Sequence, residues 1–167
     1  VANVHYYPIN YQHPDPDEFP TLAHKVNSIR DTMTRNGIAG KDIWVTETSM
    51  WTNEDRGGSV ELQRDFIVKE RVRAFGAGAN NVFWFAVREE PELWRPSHRW
   101  LISREHEPGN GYSTFQHLAE KLTNTSCTGP YQSVPTNVEA YEFVSDDYSL
   151  YVLWSNTVTQ TVTISTS

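Results

Sequence analysis

One cysteine, Cys127, is the whole thiol content of this 167-residue chain, so no intrachain disulfide can form. A lone thiol without a matched His and Asn context is a weak nucleophile and leaves the redox compartment open. Long apolar runs are missing too: none approaches the roughly 20 residues that would span a membrane. Positive charge is scarce. Lys and Arg total 14 against 21 Asp and Glu, and the formal net charge of -7 argues against nucleic-acid binding, which needs a basic face. The six histidines form no His-Glu-x-x-His pattern, no Cys-x-x-Cys occurs, and Glu105-His106-Glu107 reads as a solvated loop, so no metal site is expected. Gly76-Ala77-Gly78 lacks the third glycine of a dinucleotide loop and follows a helical pattern rather than a strand. No Gly-x-Ser-x-Gly elbow is present. Together these absences leave a chain for which no cofactor is expected.

What is present describes a globular protein. Hydrophobic residues make up 38% and aromatics 13%, enough for a packed core rather than a disordered chain. The length suits one domain, or one domain with a small appendage. The chain opens at Val1 without an initiator Met or a signal peptide and is strand-like by Val4, which suggests a processed or truncated product. Asn124-Thr125-Ser126 is an acceptor sequon that matters only in a secreted eukaryotic chain, and a secreted or extracellular location is the expectation.

Three apolar strand candidates recur at even spacing: 2–7, 43–46 and 81–87. Val4 to Ile43 and Ile43 to Val82 are each 39 positions apart, room for a strand, a loop and a crossover helix. Leu22, Val26, Ile29 and Met33 give the first gap a helical stripe, with Gly37 where a helix should stop. Leu62, Phe66, Val72 and Phe75 do the same for the second, with Ser59 as N-cap and Gly76 and Gly78 as stop signals. Alternating strand and helix is the signature of parallel α/β architecture. A third helix is expected from Ser113 to Asn124, with Phe115, Leu118 and Leu122 inward. The segment 88–111 between strand and helix, rich in Pro, Trp, Arg and Glu, is longer than ordinary connections and such loops are usually functional.

Beyond Cys127 the texture changes. Segments 138–144, 148–154 and 158–164 alternate with period two, and Asp146-Asp147 and Ser155-Asn156 supply turns. The reading is residues 1–126 as an α/β unit and 127–167 as a small antiparallel β appendage. Three parallel strands cannot cover their own edges, so the α/β unit is expected to be the C-terminal part of a larger fold or to need a partner.

Glu47 is the residue that stands out. It ends Ile43-Trp44-Val45-Thr46, a β-branched run that reads as buried, and charge is tolerated only where such a strand leaves the core. Carboxylates at the C-terminal mouth of parallel strands are where α/β barrels hold their chemistry, although an acidic residue opening a loop has the same appearance. The first strand brings His5 and Tyr7 to its end, two apart and therefore on one face. The third brings Trp84.

His5-Tyr6-Tyr7, Trp44-Val45-Thr46-Glu47 and Val82-Phe83-Trp84-Phe85, in that order, resemble the ends of strands six, seven and eight in clan A of the retaining glycoside hydrolases, a (β/α)8-barrel (TIM barrel) group. Gly111-Tyr112-Ser113-Thr114-Phe115 before a last helix, then a β segment with Tyr151-Val152-Leu153-Trp154-Ser155, is similar to the tail of many such enzymes. The resemblance covers nearly the whole chain and implies a partial (β/α)8 barrel. It also implies a glycosidase acting on an oligosaccharide or polysaccharide through a glycosyl-Glu47 intermediate, with Glu47 as the nucleophile.

Such an enzyme needs two carboxylates about 5–5.5 Å apart, one attacking the anomeric carbon and one protonating the leaving group. The nucleophile must stay ionised, which a donor such as the Tyr7 hydroxyl favours. His5 would add a hydrogen bond, Trp84 a flat face for the sugar ring, Trp51, Trp94 and Trp100 platforms further out, and Arg88, with Glu89 and Glu90, contacts at the rim. Each has an ordinary alternative: His5 as a satisfied structural histidine, Tyr7 and Trp84 as core, the other tryptophans as loop packing, the charge run as solvated surface. The acid/base Glu of the clan lies on strand four, before Val1, and Glu54, Glu89 and Glu90 are its stand-ins here. The isolated chain is therefore expected to be inactive and to lack the N-terminal part of its barrel. A carbohydrate-binding module or pseudoenzyme, and an unrelated α/β domain, are the alternatives.

Overall fold

The computed structural model describes residues 1–7, 21–89 and 98–164. Three strands, β1 (Ala2–Tyr6), β2 (Ile43–Thr48) and β3 (Asn81–Trp84), form a parallel sheet in sequence order. They are joined by α1 (Leu22–Arg35) and α2 (Val60–Gly76), with a short 3-10 turn at Glu54–Arg56. Then follow α3 (Tyr112–Leu122) and an antiparallel sheet of β4 (Ser126–Pro130), β5 (Val138–Val144) and β6 (Ser149–Ser155). Strand, helix, strand, helix, strand is thus the observed order, with a separate antiparallel sheet after it.

Local chemistry sets the helix ends as expected. The Thr21 hydroxyl caps α1 by accepting from His24 N–H, and Ser59 caps α2 by accepting from Leu62 N–H. Gly37 follows α1 at φ 70°, a left-handed conformation that glycine takes without strain. On α1 the stripe Leu22, Val26 and Met33 is buried against Val4, Ile43 and Val45. Full burial of each such side chain stabilises by about 1.5–3 kcal/mol.

α2 departs from the simple stripe. Besides Phe66, Ile67, Val72 and Ala74, it buries Gln63, Glu70, Arg71 and Arg73. It is covered by α1 on one side and by α3 and the antiparallel sheet on the other. From Glu70 to Ala74 every residue of this helix is buried, so the polar ones there must find partners inside. One hydrophobic cluster joins Phe66, Ile67, Val72 and Trp84 to Leu118 on α3 and to Tyr141 and Phe143 on β5. The approach is close enough that a Cβ at Gly76 would fall 2.4 Å from the Tyr141 ring.

Two expectations are corrected. The third strand of the antiparallel sheet is β4, paired with β5 through Cys127↔Phe143 and Pro130↔Tyr141, whereas Val158–Ile164 forms no strand. β5 has two edges, and the segment arriving directly from α3 takes the one that β6 leaves open. β3 stops at Trp84 rather than Val87, and the chain turns through a cis Phe85–Ala86 peptide.

Among the described residues, helices cover one face of the parallel sheet. On the other, Phe83 is 46% exposed, its ring 6.0 Å from that of half-buried Trp44, and the Thr46 hydroxyl donates to Asn3 Oδ1.

Candidate active site

Strict alternation along β2 would send Glu47 to the same side as Ile43 and Val45, into the helix layer. The burial pattern shows otherwise: Ile43, Val45 and Thr48 are buried, while Thr46 and Glu47 are both only partly so. The pairing with β1 slips at this point, from Val4↔Val45 to His5↔Glu47, and that with β3 slips between Val45 and Thr48. The irregularity adds one residue to β2 and keeps Glu47 off the covered face. Re-aiming a side chain at a strand end is a common use of a bulge.

The result is a convergence on one oxygen. The Tyr7 hydroxyl donates to Glu47 Oε2 at 2.8 Å, and His5 Nδ1 stands 3.3 Å from the same atom. The His5 and Glu47 side chains are 52% and 31% exposed, so this pair faces an open mouth. Among the described residues, Glu47 Oε1 accepts no hydrogen bond. An acceptor held on one oxygen and open on the other can be oriented and still react.

Trp84 does not present its indole at that mouth. It is 5% exposed, its N–H donates to the Arg99 carbonyl at 2.8 Å, and its ring meets Phe66 edge-on at 6.2 Å. The Arg71 guanidinium lies 5.1 Å from the same ring. Trp84 lies two residues after Val82, on the face of β3 that meets the core, and it pairs with Thr48, the last buried residue of β2. The next ring along the chain, Phe85, is the one that joins Tyr7 and Trp51.

Arg99 is what joins them. Its guanidinium lies 4.7 Å from the Trp51 ring, 5.2 Å from Phe85 and 5.6 Å from Tyr7. The sequence gives no periodic signal for this residue; only the length and composition of segment 88–111 pointed to its neighbourhood.

The other expected residues take varied places. Trp51 is 8% exposed. Trp100 packs against Gly109, where a Cβ would lie 2.7 Å from its ring, and its buried indole N–H has no partner. Arg88 is exposed and donates to the Arg104 carbonyl at 3.1 Å. Glu89 faces Arg104 at 3.8 Å, and Glu54 is exposed on the 3-10 turn. Trp94 and Glu90 lie outside the described residues. No group of His, Cys, Asp and Glu suited to a metal occurs among the described residues, and no described helix is long and apolar enough to cross a membrane.

No family model matches this sequence, and no curated protein matches it. Among solved structures the fold is similar to that of a family 39 glycoside hydrolase from the gut symbiont Bacteroides cellulosilyticus WH2. The TM-score is 0.62, with 15% identity over 78% of this chain. The match takes in 27% of that protein's chain, so the present chain corresponds to about a quarter of it. At this identity the likeness is one of fold.

Proposed function

We propose that this chain supplies the nucleophile side of the active site in a retaining glycoside hydrolase, with Glu47 as the attacking carboxylate. The observation that carries the reading is the convergence of the Tyr7 hydroxyl and His5 Nδ1 on Glu47 Oε2 at the end of a parallel strand. Attack on an anomeric carbon needs an ionised carboxylate in one orientation, and a donor bonded to the charged form favours both. Glu47 Oε1 is the attacking atom in this account: it forms the bond to the anomeric carbon as the glycosidic C–O bond breaks. Water then hydrolyses the ester and regenerates the carboxylate.

The fold likeness to a glycoside hydrolase supports the reading, as does the open sheet face. Trp44 and exposed Phe83 are apolar rings of the kind that fill a barrel interior, and further strands of a (β/α)8 barrel would cover them. The second carboxylate would come from that remainder. Of the rings at the mouth, Tyr7 and Phe85 are the half-buried ones and could still meet a sugar face. Trp84 and Trp51 would act from beneath them, and Arg88 at the rim would take a sugar hydroxyl.

In the intact protein, Glu47→Gly should abolish hydrolysis of an aryl glycoside, and added azide should restore consumption of an activated substrate as a glycosyl azide. Undiminished hydrolysis by Glu47→Gly would remove Glu47 from the mechanism. Sugar binding with no hydrolysis in the unaltered protein would select the pseudoenzyme or binding-module reading. The isolated 167-residue chain should show no turnover, and turnover abolished by Glu47→Gln would contradict the claim that the acid/base lies elsewhere.

A further inference from the structure

We propose that Arg99 is a positioning residue for the Glu47 site, holding the Tyr7 ring so that its hydroxyl reaches the carboxylate. The proposal rests on the functional reading above only for the consequence in catalysis; the positioning itself stands on geometry.

The backbone around Arg99 is pinned from two sides. Thr52 donates both its N–H, at 3.0 Å, and its hydroxyl, at 2.8 Å, to the His98 carbonyl. Trp84 donates its indole N–H to the Arg99 carbonyl at 2.8 Å. Trp84 is fixed in turn by the Phe66 ring and the buried Arg71. With its main chain held by the loop after β2 and by the end of β3, the Arg99 side chain projects among three rings. Tyr7 comes from the end of β1, Trp51 from the loop after β2, and Phe85 from the end of β3. One guanidinium therefore touches the exits of all three parallel strands.

The chemistry of the contact is specific. A guanidinium is planar and weakly hydrated and lies against aromatic faces, whereas an ammonium is compact and strongly hydrated. Among the described residues the Arg99 Nε–H is buried without a hydrogen-bond partner, and three ring faces lie against the guanidinium. Arg99 has no direct bond to Glu47 among the described contacts. Its effect passes through the Tyr7 ring, whose hydroxyl is the 2.8 Å donor to Glu47 Oε2. Removing the guanidinium takes away one of the contacts that orient the Tyr7 ring.

The test is NMR on the intact protein without any sugar. Nuclear Overhauser effects between the Tyr7 ring and the Glu47 side-chain methylenes report their contact, and the upfield ring-current shift of the Arg99 δ-methylene reports the cage. Arg99→Met should weaken the Tyr7–Glu47 effects at least threefold and average the Tyr7 side-chain couplings, with circular dichroism unchanged. Arg99→Lys, which keeps charge but not the plane, should fall between. Arg88→Met, at the rim, should change neither. Should Arg99→Met fail to fold, Trp84→Phe keeps a ring in the core but deletes the bond to the Arg99 carbonyl. It should reduce the Arg99 ring-current shift and the Tyr7–Glu47 effects together. Undiminished Tyr7–Glu47 contacts in the folded variants would overturn the proposal. Because no substrate is present, a failure of the glycosidase reading would leave these NMR results as they are, and the two failures are told apart.

Discussion

Glu47 receives a tyrosine hydroxyl, at 2.8 Å, and so does Glu139, from Tyr141 at 3.3 Å, yet the two carboxylates live in opposite circumstances. Glu47 has a second neighbour, His5, on the same oxygen and opens to solvent through the other. Glu139 is engaged on both. Arg73 Nε donates to Oε2 at 2.9 Å and its Nη2 donates to Oε1, where Asn156 also donates at 3.0 Å. Arg73 simultaneously gives Nη1 to Glu70 Oε1 at 2.7 Å, and Glu70 Oε2 accepts the Leu22 N–H at 2.6 Å. One network therefore ties the start of α1, the body of α2 and strand β5 together. Glu139 is saturated with donors, as a structural carboxylate is, whereas Glu47, the proposed nucleophile, is held through one oxygen.

The ionisation of the buried network follows its geometry. Burial works against the charge on Glu139, but the hydrogen bonds from Arg73 and Asn156 outweigh it and hold the carboxyl below its usual range. Burial pushes the Glu70 carboxyl up, against the Leu22 N–H and the Arg73 guanidinium. Two residues before Arg73, Arg71 is buried between the rings of Trp84 and Phe115, with no carboxylate partner among the described residues, and burial brings it down to about 9.

The largest expected effect is at Arg73. Arg73→Met leaves Glu70 buried beside no cation and should cost about 3–5 kcal/mol in denaturant unfolding, the range for breaking a buried ion pair. A loss below about 1 kcal/mol, the value of a surface pair, would break the contrast drawn above.

Glu139→Gln should be milder, about 1–3 kcal/mol near neutral pH, because an amide still accepts from Arg73. It also carries a pH signature. A carboxyl held low in the folded state binds fewer protons there than in the unfolded chain. Its stabilisation is therefore present above the unfolded pKa of about 4.3 and lost as pH falls through the folded value. The stability difference between the native protein and Glu139→Gln should grow from pH 3 to pH 7; a difference that shrinks would reverse the assigned sign.

Arg71→Met should change stability by no more than about 1 kcal/mol, since replacing a buried charge with an apolar chain of similar length relieves desolvation as it loses the ring contacts. Smallest of all should be Glu47→Gln, also within about 1 kcal/mol, because its partners are half exposed. A thermal melt showing Glu47→Gln to be as damaging as Arg73→Met would make Glu47 a structural residue.

The positions of β1, β2 and the two crossover helices were legible in the chain, because one run of β-branched residues and one apolar stripe each leave few alternatives. So was the meeting of His5 and Tyr7 with Glu47, which needs only adjacent parallel strands. The direction of side chains at the strand ends was not legible. A bulge of one residue on β2 reverses parity there, which is why Glu47 escapes the core, whereas Trp84 follows Val82 inward by ordinary alternation on β3. The buried charges of α2 were hidden for a different reason: their partners Leu22 and Glu139 lie 48 and 66 residues away in sequence. Ser126–Pro130 carries little strand signal in the sequence, since Gly and Pro are poor strand formers, and the free edge of β5 overrides that preference.

Glu47 is the proposed reactive carboxylate and Glu139 a structural one. The most direct measurement is covalent trapping of the intact protein with a 2-deoxy-2-fluoro glycoside bearing a dinitrophenolate leaving group, whose departure needs no acid catalyst, followed by peptide mass mapping. The account predicts one added sugar on Glu47, within the Ile43–Thr48 strand, and none in the Glu47→Gln protein. A label on any other carboxylate, or the same label persisting in Glu47→Gln, would contradict it.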